Sequence, residues 1–345
     1  MSDPGAARAS PVAAQTPHPD PALRDVLVLT TRKAFWASPE ARIFPNVLHT
    51  WTPVGRSSAV WNAGVLFARA LAHIRRTRPR LVLVGSAPRV NPWLARLRRR
   101  GRLGARLAAV GHLEFGYDLA DQFDRIVVHA RTEAELRTRE SDSPPGRYVF
   151  LPLPASGTTD RQPSPQAETF VFSGGRAKRD FRTLVQAAEG LPARVRIVTR
   201  DRGCVDWPDP LPDNVEVQAF KPLDAFLQDV RDARFVVVPL FAGARYSHGQ
   251  RVVVQAMRLG RAVVATRGAS VDDYVAHEKT GLLVDPGDAQ GLRAAMGRLL
   301  AHPEEARRMG GAGRARALAE HTDARFAQRL RALCLELVRA HGASG

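Results

Sequence analysis

Lysine is nearly missing from this chain: Lys33, Lys178, Lys221 and Lys279 are the only four among 51 basic residues, which leaves 47 arginines. Set against 34 acidic residues they give a formal net charge of +17. That excess suggests nucleic acid, an anionic membrane or a polyanionic substrate. Alongside so much Ala, Gly and Pro, however, it reads as a compositional bias spread along the chain, and part of the charge is non-specific. Cysteine is scarce too. Cys204 and Cys334 lie far apart with no paired spacing, which excludes a disulfide framework and a Cys-rich zinc site and fits a reducing compartment, with the cytoplasm as default. No apolar run reaches the ~18 residues of a membrane span. The opening "MSDPGAARASPVAAQTPHPDP" lacks a signal-peptide core and is broken by prolines, so residues 1–22 are expected to be a disordered tail. Any membrane contact would therefore be peripheral. Also absent are a Walker A loop, a GxGxxG after the first strand and a His/Glu zinc pattern, which lowers the ATPase, dehydrogenase and metallohydrolase readings.

What is present is ordinary globular composition, with 44% hydrophobic and 25% charged residues, in a chain of 345 residues. That length exceeds the size at which single cores stop growing, so two domains are expected. Short apolar runs, "DVLVLTT", "RLVLVGSA", "ARLAAVGH", "DRIVVHA" and "RYVFLPLP", alternate with helical segments such as "WNAGVLFARALAHIRRT". Such alternation predicts a parallel sheet covered by helices over 23–154. A Ser/Thr/Pro/Gln stretch then reads as a linker over 155–167. From 168 to 322 the pattern restarts with "TFVFSGG", "RVRIVTR", "VEVQAF", "RFVVVPL", "AVVAT" and "GLLVD", a helix being expected between the last two. An amphipathic helix over 323–341, with Phe326, Leu330, Leu333 and Leu337 on one face, should pack back on the body. The fold class is α/β, two Rossmann-like doubly wound domains facing an interdomain cleft, and the cleft is where a ligand should bind.

Two stretches carry candidate chemistry. In "FSGGRAKRDFRTL" a strand ends in Gly174 and Gly175, the basic residues Arg176, Lys178 and Arg179 follow, and Asp180 can cap the next helix. Glycines allow close backbone approach, and arginines beside a helix N-terminus favour phosphate oxygens, so a diphosphate suits this loop. The bland reading is a tight turn with solvated arginines. In "YSHGQRVVVQAM" the helix opens at Gly249 and Gln250, after Ser247, with free amides available to a ligand. Gln255 lies less than two turns in, among valines, and either reaches that ligand or lies on the solvent face.

From about Thr169 to Ala301 the sequence resembles the donor-binding domain of retaining GT-B glycosyltransferases, particularly the large family 4 group. The resemblance rests on "GGR" at 174–176, Arg179 where a helix-opening Lys is usual, "QAM" at 255–257, "GRAVVAT" at 260–266 and "KTGLLVDPGD" at 279–288. It implies that Arg176 and Arg179 hold the diphosphate of a nucleotide-sugar, the one co-substrate, with no other cofactor. It further implies that amides near Gly249 and Gln250 face sugar or phosphate, and that Gln255 binds ribose hydroxyls. Ser247 and Gln255 stand where the family's paired motif has two glutamates, a departure that bears on sugar orientation and activity. His112, after "RLAAVG", falls where the family often places a histidine facing the cleft, and a structural role is an equal reading. Glu114 beside it is an acceptor contact or a loop residue, and His129 reads as structural. No Asp-x-Asp occurs, so no metal site is expected and arginines would replace the metal–diphosphate clamp of the other major glycosyltransferase fold. The acceptor is a glycan, lipid or small molecule. The stretch 91–107, with Trp93, Leu94 and Leu97 beside Arg98, Arg99 and Arg100, could lie on the inner face of a membrane or be a solvated helix face. The rivals are a degenerate GT-B protein that binds without transfer and, last, a nucleic-acid-binding protein; no specific nucleic-acid motif is present.

Overall fold

A computed structural model of the chain describes residues 17–342 apart from 31–34, 50–55, 86–87, 112–116, 159–169, 176–177, 201–206, 244–245, 247 and 269. The first half forms a six-stranded parallel sheet from β1 (Val26–Thr30), β2 (Asn46–His49), β3 (Leu81–Gly85), β4 (Arg106–Val110), β5 (Arg125–Val128) and β6 (Tyr148–Phe150), in the order β2-β1-β3-β4-β5-β6. Its central strands are buried on both faces, as all-parallel sheets require. Helices α1 (Arg56–Thr77) and α2 (Asn91–Arg99) cover one face through Leu66, Ala70, Leu94 and Ala95. Helix α3 (Arg131–Glu140) follows β5.

The second half repeats the plan with β7 (Phe170–Gly175), β8 (Arg194–Thr199), β9 (Val215–Ala219), β10 (Val236–Val238), β11 (Val263–Thr266) and β12 (Gly281–Val284), in the order β12-β11-β10-β7-β8-β9, again all parallel. Helices α4 (Phe181–Ala188) and α7 (Ala289–Ala301) pack on one face. On the other lie α5 (Leu223–Asp232), α6 (Gln250–Arg258) and α8 (Pro303–Glu320). The expected pair of doubly wound sheets is therefore present.

The final helix, α9 (Asp323–Gly342), leaves the second sheet and packs on the first. Phe326, Leu330, Leu333, Leu337 and Val338 cover the face of β1, β3 and β4 that α1 and α2 leave open. A core of the first half is thus completed by the last twenty residues of the described chain. The two crossings between halves lie side by side: the Ala155 N–H donates to the His321 carbonyl at 2.8 Å. Tyr274 stacks on His321 with centroids 5.2 Å apart. Its hydroxyl donates to the His129 carbonyl (2.7 Å) and accepts from the Leu153 N–H (3.0 Å). His129 itself meets the Leu151 carbonyl through Nδ1 at 2.9 Å, which gives it the structural role expected.

Three elements depart from the sequence reading. Strand β2 is an extra edge strand, short and half-exposed, where no strand was expected. The segment between β11 and β12 is a series of turns rather than a helix, because Val271 and Tyr274 are pulled inward and fully buried within a few residues. Helix α8 was not anticipated, and its glycines explain why: they weaken the helical signal, yet one of them, Gly310, is needed for packing. A Cβ on Gly310 would lie 2.1 Å from the Gly260 carbonyl, and Gly313 faces Met257 of α6.

Candidate functional site

The second sheet reverses its winding between β7 and β10, and a crevice outside the carboxyl ends of those two strands is where an open α/β sheet takes a ligand. Both candidate stretches leave the sheet there. Strand β7 ends in Gly174 and Gly175, both buried. Gly175 has φ +144, and a Cβ on it would lie 2.5 Å from a guanidinium nitrogen of Arg179. Glycine is therefore required for Arg179 to fold back over the turn. Arg179 is 8% exposed, bridges Leu240 at the end of β10, and donates from Nε to the Gly174 carbonyl at 3.2 Å. Burial lowers its pKa to about 10, so it stays charged at neutral pH. Asp180 then caps α4, accepting from the Thr183 N–H (3.1 Å) and hydroxyl (2.8 Å). Lys178, with φ +54, is exposed. The solvated-arginine reading does not hold for Arg179: a fixed positive charge sits beneath the glycine turn.

Beyond β10 the chain reaches α6, whose N-cap Gly249 adopts φ +88. Two anchors hold the approach. The Leu240 N–H donates to Thr266 Oγ1 (2.9 Å), and Ser270 Oγ donates to the His248 carbonyl (2.8 Å). Gln250 is 4% and Gln255 2% exposed, and the Nε2 of each is buried with no hydrogen-bond partner. That excludes the solvent-face reading of Gln255. A buried amide without an acceptor costs about 1–3 kcal/mol, and native proteins rarely keep two on one helix without a ligand or water to receive them. The helix offers free N–H groups and the positive end of its dipole at the same edge, so the arrangement suits an anion flanked by hydroxyl or carbonyl acceptors.

One residue here was not singled out from sequence. Tyr246, just before the α6 turn, lies with its ring 4.1 Å from the Arg137 guanidinium, and its hydroxyl donates to Glu140 at 3.1 Å. Both partners belong to α3 of the first half. Arg137 is held in turn by Glu133 at 2.8 Å in a buried ion pair. At the other end of α3, Asp273 accepts from the Arg131 backbone N–H at 2.7 Å. The first half thus grips the loop that opens α6. A contact spanning more than a hundred residues leaves no local pattern, so only the presence of a tyrosine beside Ser247 could have pointed to it.

Arg176, Ser247, His112 and Glu114 lie outside the described residues. Among the described residues there is no group of three or more His, Cys, Asp or Glu that could hold a metal ion. No described helix is long and apolar enough to cross a membrane. The apolar side of 91–107 is turned inward: Leu94 is fully buried, Trp93 packs at 5.1 Å against Phe67, and Arg98 is paired with Asp124.

Two facing doubly wound sheets, with the final helix returning to the first, define a protein of the GT-B class. Residues 168–302, within the second domain, match the model of glycosyl transferases, group 1. Among solved structures, the chain is similar to sucrose-phosphate synthase from Thermosynechococcus elongatus (20% identity, 85% of this chain and 84% of that one, TM-score 0.66). It is also similar to Anabaena HepE in complex with UDP-glucose (14% identity, 89% and 98%, TM-score 0.67), and to a glycosyltransferase from Rickettsia africae (10% identity, 87% and 86%, TM-score 0.63). Comparison with curated proteins gives no match.

Proposed function

We propose that the protein transfers a sugar from a nucleotide-sugar to a glycan, lipid or small-molecule acceptor, with retention, and that the donor lies at the β7–β10 switch point. The observation that carries this is the pair of buried, unpartnered amides of Gln250 and Gln255 on the helix that opens there. In this reading Gln255 donates to a ribose hydroxyl oxygen and Gln250 to the sugar or a phosphate oxygen. Arg176, buried Arg179 and the amides after Gly249 stabilise the charge that grows on the diphosphate as the sugar leaves, which is electrostatic catalysis by groups already in place. The departing phosphate oxygen takes the acceptor's proton on the same face, so no enzymic nucleophile is needed. The similarity to HepE bound to UDP-glucose makes a uridine nucleotide the first donor to try.

A second reading follows from the residues themselves: Gln255 and Ser247 can bind a nucleotide without orienting its sugar for transfer. A thermal-shift panel of UDP, GDP, ADP and TDP with their sugar conjugates, followed by assay of donor hydrolysis, separates the two. Selective stabilisation is expected, about 2.7 kcal/mol at a hundred times the dissociation constant, with slow hydrolysis of the same donor. Selective binding without hydrolysis or transfer would favour the binder. Arg176→Ala should abolish the shift while leaving the ligand-free melting temperature unchanged; an unchanged shift would remove the diphosphate assignment. The peripheral membrane contact through 91–107 loses its apolar half, since those side chains serve the core.

A further inference from the structure

The positive charge is not spread evenly along the chain. From Ala41 to Leu113 there are 14 arginines and no aspartate or glutamate. The next longest acid-free stretch, 233–271, holds six arginines, so 41–113 stands apart in both length and arginine number.

The fold gathers about half of these arginines at one edge of the first sheet. Strands β1, β3 and β4 are adjacent and begin in register: the Arg80 N–H donates to the Asp25 carbonyl, and the Arg106 N–H to the Arg80 carbonyl, each at 2.9 Å. The turns that feed β3 and β4 come from the ends of α1 and α2, so Arg75, Arg76 and Arg78 lie beside Arg99, Arg100 and Arg102 at the amino edge of the sheet. All six are exposed, and none takes part in an ion pair among the described residues. The nearby acids serve other arginines: Asp25 faces Arg24 and Arg80, and Asp124 holds Arg98 and Arg106. The patch extends past the sheet to its other face, where the end of α9 arrives. Arg106 donates to the Ala340 carbonyl at 3.0 Å, and Arg339 is exposed beside it. Arginines at helix C-termini complement the dipole, which explains two or three of them but not the missing acids.

We propose that this amino edge of the first sheet is a docking face for an anionic phospholipid surface. The charge spreads in two dimensions, across three strand starts and three helix ends on both sides of the sheet, which suits a plane of phosphates rather than a single strand. Arginine forks are matched to phosphate oxygens. The exposed large aromatic side chains of the described residues, Phe220 and Phe241, belong to the second sheet, so the patch offers nothing on which nucleic-acid bases could stack. The contact is electrostatic, without the inserted apolar face expected for α2. Five-residue strands separate the patch from the cleft by roughly 17 Å, so the docked protein presents its cleft away from the bilayer.

The test is co-sedimentation of the full chain with vesicles of phosphatidylcholine, with and without phosphatidylglycerol, at low and high salt. Binding is expected only with phosphatidylglycerol, and salt should abolish it. The double variants Arg75→Glu/Arg76→Glu and Arg99→Glu/Arg100→Glu should each weaken it roughly tenfold or more. The equal charge change Arg307→Glu/Arg308→Glu on α8 should have little effect, and unchanged melting temperatures check that all three fold. Lack of binding to phosphatidylglycerol vesicles, or equal loss from the α8 variant, overturns the proposal. So does tight binding of a single-stranded oligonucleotide by a chain that ignores the vesicles.

Discussion

Asp124 and Gln255 are both polar side chains tucked beside a parallel sheet, one in each half of the chain, and they are treated differently. Asp124 is saturated: Arg98 and Arg106 pair with it, and the Leu107 N–H donates at 2.9 Å. Burial pushes its carboxyl up, but the hydrogen bonds from Arg98 and Leu107 and the two guanidinium charges outweigh that and hold it below its ordinary value. Gln255 is deeper, 2% exposed, and its amide nitrogen has no partner. A closed polar network stiffens a fold, whereas an open one in a core is a standing cost that only a function repays. The contrast makes Gln255 the side chain whose open amide is to be tested for a ligand.

The largest effect should come from breaking the closed network. Asp124→Asn leaves two arginines short of their charge partner and is expected to cost about 3 kcal/mol, read by chemical denaturation, with the nucleotide-induced shift unchanged. Because the folded carboxyl sits below its ordinary 3.8, its contribution is present above that value and lost as pH falls through the lower folded value. The gap between wild type and variant should therefore narrow in acid. A lost nucleotide response in this variant would break the comparison, since it would place Asp124 in the site.

A smaller effect sharpens it from the other side. Tyr246→Ala releases the α6 loop from Arg137 and Glu140, and KM for the donor should rise about fivefold, with kcat little changed, in line with roughly 1 kcal/mol for a cation–π contact. Tyr246→Phe keeps the ring over Arg137 and should raise KM only about twofold. Equal KM in all three proteins would mean that the grip of α3 on the loop has no bearing on donor binding.

Much of this was readable in the chain. The strand and helix alternation gave both sheets, because parallel strands buried on two faces are continuous apolar runs. Strand β2 escaped because a four-residue, half-exposed edge has neither burial nor alternation to mark it. Helix α8 escaped because Gly310, Gly311 and Gly313 erase its helical signature, although only Gly310, packed on the Gly260 carbonyl, is sterically required. At the site, the glycine turn and the polar residue among valines were visible, but not which of the arginines would turn inward. Nothing local distinguishes Arg179 from Lys178: the distinction comes from the space left by Gly175 and from the end of β10, a strand more than fifty residues away. Nor was the asymmetry of charge legible from totals: it lies in the order of the residues over 41–113, and its place at one edge of a sheet only in the fold.

The most direct measurement is the stability of Gln255→Met, a change of similar shape that removes the buried amide, with and without the nucleotide that stabilises the wild type. Opposite signs are expected: the ligand-free protein gains about 1–2 kcal/mol as an unsatisfied group disappears, and the nucleotide-induced shift is lost. A variant that is less stable without ligand yet keeps the full shift would mean that Gln255 serves the core, and the assignment of the α6 helix to the donor would fall with it.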